Sequence, residues 1–198
     1  MLNRVIEPLM KELRVQAPAL AGMQVGDTAV DICCGTGALA LHYAGMGVTA
    51  AGIDMDPRVI EIADRKGRSL GLTNASFKVG NASNLPFADG SFDFASISMS
   101  LHETESTERD TIISEMKRVV KGEGALIFID YKVPLPLIPS SYTSRVVELV
   151  CGREHNRCFR DYVRQGGLDG LLDRHGLRDE KRAELGPMWM VKAGKLIT

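Results

Sequence analysis

A strand, a glycine turn and a helix follow one another directly near the start of the chain. The apolar run from Thr28 to Cys34 contains one acid, Asp31, and leads into Gly35-Thr36-Gly37 and then a helix-forming segment that ends near Gly45. This order lets a nucleotide-like cofactor approach bare backbone at the N-terminus of a helix. The segment therefore predicts an α/β domain with a ligand site at the strand ends.

Strand and helix patterns alternate further along the chain. This alternation predicts a parallel sheet with helices on both faces, which binds ligands beyond the carboxyl ends of its strands. An amphipathic helix over about 2–16, ended by Pro18, precedes the sheet. The other predicted elements are strands Thr28–Cys33, Val48–Ile53, Ala75–Val79, Phe92–Ser98, Ala125–Tyr131, Leu177–Leu185 and Pro187–Ala193, and helices from the Asp56 N-cap to about Leu70, behind a Thr107/Asp110 capping box, over Ser140–Cys151 and over Phe159–Leu172.

Length and charge limit the class of protein. The 198 residues predict one domain over 1–198, with an N-terminal helical segment at 1–25 and a substrate cap at 132–172. The formal charge of -1 and the lack of like-charge blocks give no indication of a nucleic-acid or acidic tail, and the sequence lacks an apolar run of membrane-spanning length. The charged start differs from a signal peptide, and four cysteines are read as reduced thiols, so we expect a cytoplasmic protein.

Two acids near the glycine turn indicate the cofactor. Gly35-x-Gly37-x-x-Ala40 matches a dinucleotide pattern, and Asp54 lies near the offset of a ribose-binding acid. However, the carboxylate of Asp31 would repel a pyrophosphate at the helix N-terminus. S-adenosylmethionine has an ammonium and a sulfonium instead of phosphates, and both favour a nearby carboxylate. The pair therefore favours S-adenosylmethionine over NAD.

Five motifs in order resemble those of one family. DICCGTG, GIDMDP, GNASNLPFADGSFDF, SLHE and EMKRVVKGEGALIFIDYKVP are similar to motifs of class I S-adenosylmethionine-dependent methyltransferases, closest to the quinone-biosynthesis C-methyltransferase-like group. The resemblance covers about Gly26 to Pro134. It implies a Rossmann-like three-layer α-β-α sandwich, with a mostly parallel seven-stranded sheet and one antiparallel strand near the C-terminus. It also implies methyl transfer to a small molecule of quinone or phenol-precursor type.

The resemblance assigns roles to residues that match the motifs. It places Asp31 near the methionine ammonium, Asp54 on both ribose hydroxyls and Met55 on the adenine face. Asn81 stands where the family often has Asp, and its carbonyl can still accept from the adenine amino group. The cofactor-binding residues implied are Asp31, Cys33, Cys34, Gly35, Gly37, Asp54, Met55, Asn81, Ala82 and Ser98.

His102 is the candidate general base, because it follows the fourth strand on the ligand-binding rim and histidine titrates near neutrality. Glu103 either orients His102 or faces solvent. Tyr131, at the end of the fifth strand, lines the substrate pocket or is a half-buried aromatic residue. A loop histidine bonded to backbone is the alternative for His102.

Residues after the fifth strand leave further alternatives open. Cys151, His155 and Cys158 share a helical face, which suits zinc or a thiophilic substrate, or simply core packing. Because no fourth ligand is evident, we expect no resident metal ion. Arginines in the same region form a solvated face or recognise an anionic small molecule: Arg145, Arg153, Arg157, Arg160 and Arg164.

The sequence thus predicts a methyltransferase that uses S-adenosylmethionine on a small molecule. The alternatives are an NAD-dependent oxidoreductase and a non-catalytic protein that binds S-adenosylmethionine. The acceptor atom and the oligomeric state are not determined by the sequence, and a homo-oligomer is left open.

Overall fold

The computed structural model describes residues 3–134 and 153–195. Within these ranges lie seven strands, six α-helices and one 3-10 helix, at Leu101–Glu103. The strands are β1 Thr28–Ile32, β2 Thr49–Asp54, β3 Ala75–Val79, β4 Phe92–Ser98, β5 Val120–Tyr131, β6 Leu177–Leu185 and β7 Met188–Lys195. The helices are α1 Asn3–Ala21, α2 Ala38–Gly45, α3 Pro57–Ser69, α4 Ser106–Val119, α5 Arg153–Arg164 and α6 Gly167–Arg174.

All seven strands form one sheet in the order β3-β2-β1-β4-β5-β7-β6. The first five strands along the chain pair in parallel, whereas β7 is antiparallel to both β5 and β6. The chain order reverses between β1 and β4, and that switch point is where open α/β sheets bind ligands. The predicted fold class is therefore confirmed.

Helices cover both faces of the sheet. Helices α1, α2 and α3 form one layer, in which α2 contacts both of the others. Helices α4, α5 and α6 lie on the other side of the sheet, where α5 packs against both α4 and α6. The central strands read as continuous apolar runs because both faces are covered, and Ile32, Ile53 and Ile97 are almost completely buried. This core packs beneath the strand ends at the ligand-binding rim.

Four local predictions differ from the structure. Helix α1 continues through Pro18 to Ala21, because burial of Ala17, Leu20 and Ala21 compensates for the one backbone hydrogen bond that proline removes. The predicted capping box at Thr107 and Asp110 is wrong, since α4 begins at Ser106 and the side chain of its N-cap residue, Glu105, accepts no capping hydrogen bond.

The other two differences concern glycines. Strand β5 begins at Val120 and includes Gly122 and Gly124, where the turn was predicted. A Cβ at Gly124 would lie 2.4 Å from the Asp93 carbonyl oxygen, so glycine permits close strand approach there. The single helix predicted over Phe159–Leu172 is divided by Gly166, which has φ +86°. The predicted helix Ser140–Cys151 lies outside the described residues.

Candidate cofactor and acceptor site

The glycine loop between β1 and α2 combines one open and one packed glycine. Both have positive φ, +52° at Gly35 and +73° at Gly37. A Cβ on Gly37 would lie 2.6 Å from the Phe77 ring, whereas a Cβ on Gly35 would have nothing within 4 Å. Gly37 is thus required for packing against β3, and Gly35 leaves a bare backbone surface that a ligand can cover.

Asp54 holds this loop at the end of β2. Its Oδ2 accepts from the Gly35 amide at 2.9 Å, and its Oδ1 accepts from the Asp56 amide at 3.0 Å. Each carboxylate oxygen has a second lone pair for a ligand hydroxyl. The Asp56 side chain caps α3 by accepting from the Arg58 amide at 2.9 Å, as predicted.

Asp31 lies beneath the loop instead of in the cleft wall. The side chain is only 2% exposed and accepts from Ser96 Oγ at 2.8 Å and from the backbone of Ala40 in the first turn of α2. Burial raises the pKa of Asp31 from its usual 3.8 to about 7, although both hydrogen bonds oppose the rise. A ligand cation above the loop therefore favours ionisation of this carboxyl group.

The adjacent cysteines face different surroundings. Cys33 is half-buried and forms a hydrogen bond with the Ser100 side chain, and burial raises the pKa of its thiol to about 12. Cys34 is buried towards β2, where its Sγ would lie 2.9 Å from a Cβ on Gly52, and burial likewise raises its pKa. Both thiols are therefore neutral, and neither is an activated nucleophile.

A cleft of about 500 Å³ opens beside the loop. Four predicted cofactor-binding residues line it: Cys33, Asp54, Met55 and Ala82. Asn81 is exposed nearby, and its Oδ1 accepts from the Ser83 amide at 2.8 Å, so that carbonyl already closes a turn. Ser98 is half-buried, and its carbonyl accepts from Ser100 Oγ at 3.1 Å. The structure thus places four of the ten predicted residues in the wall of this cleft, whereas Asp31 and Cys34 are buried outside it.

His102 and Asp130 form a buried pair next to this cleft. The His102 Nδ1 lies 2.7 Å from Asp130 Oδ1, and the His102 amide donates to Asp130 Oδ2 at 3.2 Å. The two side chains are 5% and 0% exposed. A carboxylate at Nδ1 favours the tautomer that carries its proton on Nδ1 and its lone pair on Nε2.

Aromatic rings surround this imidazole. The rings of Tyr131 and Phe159 lie 4.8 and 6.1 Å from it, in edge-to-face orientations. Tyr131 and Phe159 also contact each other at 5.8 Å. The surroundings of the histidine therefore suit a flat, largely apolar group better than a highly charged one.

Sequence reasoning missed Asp130 and Arg109. Asp130 had a signal, because it is an acid within the apolar run of β5. Arg109 is fully buried, and it donates to the carbonyls of Leu101 at 2.9 Å and Thr104 at 2.7 Å. It also approaches Asp161 of α5 at 3.6 Å. Arg109 thereby fixes the 3-10 helix that carries His102, although its sequence position resembles an ordinary surface site on α4.

The predicted cysteine–histidine face is only partly described. Cys151 lies outside the described residues, and Cys158 is buried. His155 faces Glu103 of the 3-10 helix, with 3.4 Å between Nδ1 and Oε2. Four arginines of the predicted series line a neighbouring groove of about 750 Å³ on α5: Arg153, Arg157, Arg160 and Arg164. Arg157 forms an ion pair with Glu105 there.

The sheet order and the cleft beside the glycine loop define a Rossmann-like protein of the class that binds nucleotide-type cofactors. Comparison with known proteins shows the family. Residues 29–124 match a family model described as a methyltransferase domain. The demethylmenaquinone methyltransferase of Bacillus subtilis is 30% identical over 191 residues, which are 86% of this chain and 79% of that protein. The chain therefore belongs to the class I S-adenosylmethionine-dependent methyltransferases, in the menaquinone-methyltransferase-like group.

A further relative agrees with this assignment, and a solved structure shares the fold. The demethylmenaquinone methyltransferase of Oceanobacillus iheyensis is 34% identical over 128 residues, 63% of this chain and 50% of that protein. Thus the chain spans about half the length of several curated relatives that it matches. The PH0226 protein of Pyrococcus horikoshii shares the fold with a TM-score of 0.74 and 18% identity, covering 96% of this chain and 91% of that one. In the described part of the chain, we find no helix with the length and apolar content to cross a membrane.

Proposed function

We propose that this protein transfers a methyl group from S-adenosylmethionine to a small aromatic acceptor of quinol or phenol type, with His102 as the general base. The observation that carries the proposal is the His102–Asp130 pair, which lies among aromatic rings beside the cofactor cleft. The relatives' names support the acceptor class, since both relatives described above are named demethylmenaquinone methyltransferases.

The loop residues fit S-adenosylmethionine. The open surface over Gly35 accommodates a ligand against bare backbone, and Asp54 offers lone pairs to ribose hydroxyls. Met55 lines the same cleft and is 64% exposed, which suits packing on an adenine. Bound S-adenosylmethionine supplies a methyl carbon that is already activated by the adjacent sulfonium. The chain therefore has to align the acceptor, exclude water and accept a proton.

His102 has the surroundings that proton transfer requires. Asp130 holds the proton on Nδ1 and stabilises the imidazolium that forms when Nε2 accepts the acceptor's proton. Arg109 is a positioning residue, because its bonds to Leu101 and Thr104 bracket His102. Loss of the acceptor proton raises the electron density of a phenol ring, which favours attack on the methyl carbon.

The NAD alternative is disfavoured by charge. A dinucleotide places a pyrophosphate at the N-terminus of the helix after the glycine loop. Asp31 is buried directly below that helix start, and its bond to the Ala40 backbone occupies one of the donors there. A second carboxylate, Asp54, holds the loop itself.

The test combines cofactor binding with turnover. We expect S-adenosylhomocysteine to bind the purified full chain by calorimetry, and radiolabelled methyl groups to appear on members of a panel of quinols and phenols. His102→Gln and Asp130→Asn should each lower kcat by about 10²-fold or more and leave S-adenosylhomocysteine affinity within about twofold. His175→Gln is the matched control, because His175 also pairs with a carboxylate, Asp110, at 2.9 Å.

The outcomes separate the three functions. Binding without turnover on any acceptor supports the non-catalytic alternative. Binding of NADH with no binding of S-adenosylhomocysteine supports the oxidoreductase. Turnover that is unchanged in His102→Gln retains the methyltransferase and removes the base from the proposal.

A further inference from the structure

Two histidines and a glutamate meet at the mouth of the cleft. One ligand atom each from His102, Glu103 and His155 lies within 4.8 Å of the other two. His102 and His155 have rings 5.7 Å apart at 83°, and Glu103 Oε2 lies 3.4 Å from His155 Nδ1. The three residues come from the 3-10 helix and from α5, which are about fifty positions apart in sequence and are joined by tertiary contacts.

These separations suit a coordinated ion. Nitrogen and oxygen ligands at about 2.1 Å from a tetrahedral metal are about 3.4 Å apart. The Glu103–His155 separation already has this value, and Glu103, with a side chain 49% exposed, can adjust to shorten the remaining distances. Two imidazoles and one carboxylate are the ligands that zinc and iron(II) take at sites with open positions.

Asp130 contacts the ring nitrogen of His102 that would not bind the metal. Histidines that bind metals commonly bond their other ring nitrogen to a carboxylate, which fixes the tautomer and raises ligand basicity. The 2.7 Å contact of Asp130 with His102 Nδ1 places the Nε2 lone pair on the opposite side of the ring. Glu103 and His155 line the same cleft as Asp54, so the cluster is reachable from solvent.

We propose that His102, Glu103 and His155 bind one divalent transition metal ion of the zinc class, which links the 3-10 helix to α5. The proposal does not require methyl transfer. Where His102 is the base, the metal and the substrate proton compete for the same Nε2 lone pair, so zinc inhibits turnover. The ion also holds α5 against the site, and its binding to the folded state alone raises the melting temperature.

The probe is Zn²⁺ alone, titrated by calorimetry into the reduced full chain, with Co²⁺ as a spectroscopic substitute. We expect one equivalent to bind, and Glu103→Gln and His155→Gln each to weaken binding by about tenfold or more. Two controls should bind Zn²⁺ as the wild type does. One is His175→Gln, which removes a His–carboxylate pair outside the cluster, that of His175 with Asp110. The other is Cys158→Ser, which alters the cysteine–histidine face.

Binding is measured separately from activity, so the metal proposal and the proposed function can fail independently. The proposal is overturned if the wild type binds no stoichiometric Zn²⁺, or if both Gln variants bind as the wild type does. It is equally overturned if Cys158→Ser abolishes binding, or if the Co²⁺ complex shows thiolate charge transfer. Thermal unfolding without metal verifies that the variants fold, and the Co²⁺ spectrum of the wild type needs no variant.

Discussion

Replacement of Asp31 with asparagine measures how much unfolding free energy is lost when the buried carboxyl group beneath the glycine loop ionises. In the folded chain, burial raises the pKa of Asp31 from 3.8 to about 7. The unfolded carboxyl group loses its proton near the lower value, whereas the folded one keeps it up to the higher value. Consequently the stability contributed by this group is full at low pH and falls as the pH rises between those values. The total change is about 4 kcal/mol.

Urea unfolding of both proteins across the pH range isolates this effect. Asparagine has no charge to bury, so the unfolding free energy of Asp31→Asn minus that of the wild type should increase by about 3 kcal/mol from about pH 5 to about pH 8. Lost or altered hydrogen bonds to Ser96 and Ala40 shift the difference equally at every pH. A difference that stays constant with pH would refute the reasoning.

The same variant reports on the cofactor. A ligand ammonium near Asp31 stabilises the ionised carboxylate, so S-adenosylhomocysteine should bind the wild type more tightly as the pH rises through about 7. In Asp31→Asn this dependence should be reduced. Equal pH profiles of the dissociation constant in the two proteins would show that Asp31 serves the fold alone.

Two further substitutions separate packing from binding. Gly37→Ala places a Cβ 2.6 Å from the Phe77 ring at φ +73° and should lower the unfolding free energy by about 2–4 kcal/mol. Gly35→Ala places its Cβ in open space, so it should lower the unfolding free energy by only about 1 kcal/mol. The same Cβ covers the bare backbone surface, so Gly35→Ala should abolish S-adenosylhomocysteine binding. Equal losses of stability in urea would contradict this division. Arg109→Met removes the donors to the Leu101 and Thr104 carbonyls and should cost about 3 kcal/mol in the same assay; a loss below about 1 kcal/mol would show that the contacts are not needed.

Local sequence signals predicted most of the sheet. Strand β4 was placed at Phe92–Ser98, and β3 and β6 also have the predicted bounds. Apolar runs bounded by turn residues predict the central strands because helices cover both of their faces, whereas the edge strands β3 and β6 are largely exposed or half-buried. Where the sequence misled, as at Pro18 and Gly122–Gly124, burial and strand pairing outweighed the local preference of proline and glycine.

The site shows a similar division. Motif positions predicted that the glycine loop and Asp54 lie at neighbouring strand ends, and the Gly35–Asp54 hydrogen bond joins them because both belong to one βαβ unit. Their binding of the cofactor stays a prediction. The prediction for Asp31 was incomplete, because nothing local indicates that Ser96 and the start of α2 enclose its carboxyl group. The pairing of β1 with β4 brings Ser96 opposite Asp31, and that register is a property of the sheet.

The sequence by itself determined the fold class, the cofactor type and the rim on which the ligand residues lie, because hydrophobic period, glycine spacing and charge act over a few residues. Only the tertiary structure decided which groups meet around His102. Asp130, Arg109, Glu103 and His155 come together from β5, α4, the 3-10 helix and α5. Such contacts depend on how the sheet orders its strands and how α5 packs on the rim, which no spacing along the chain encodes.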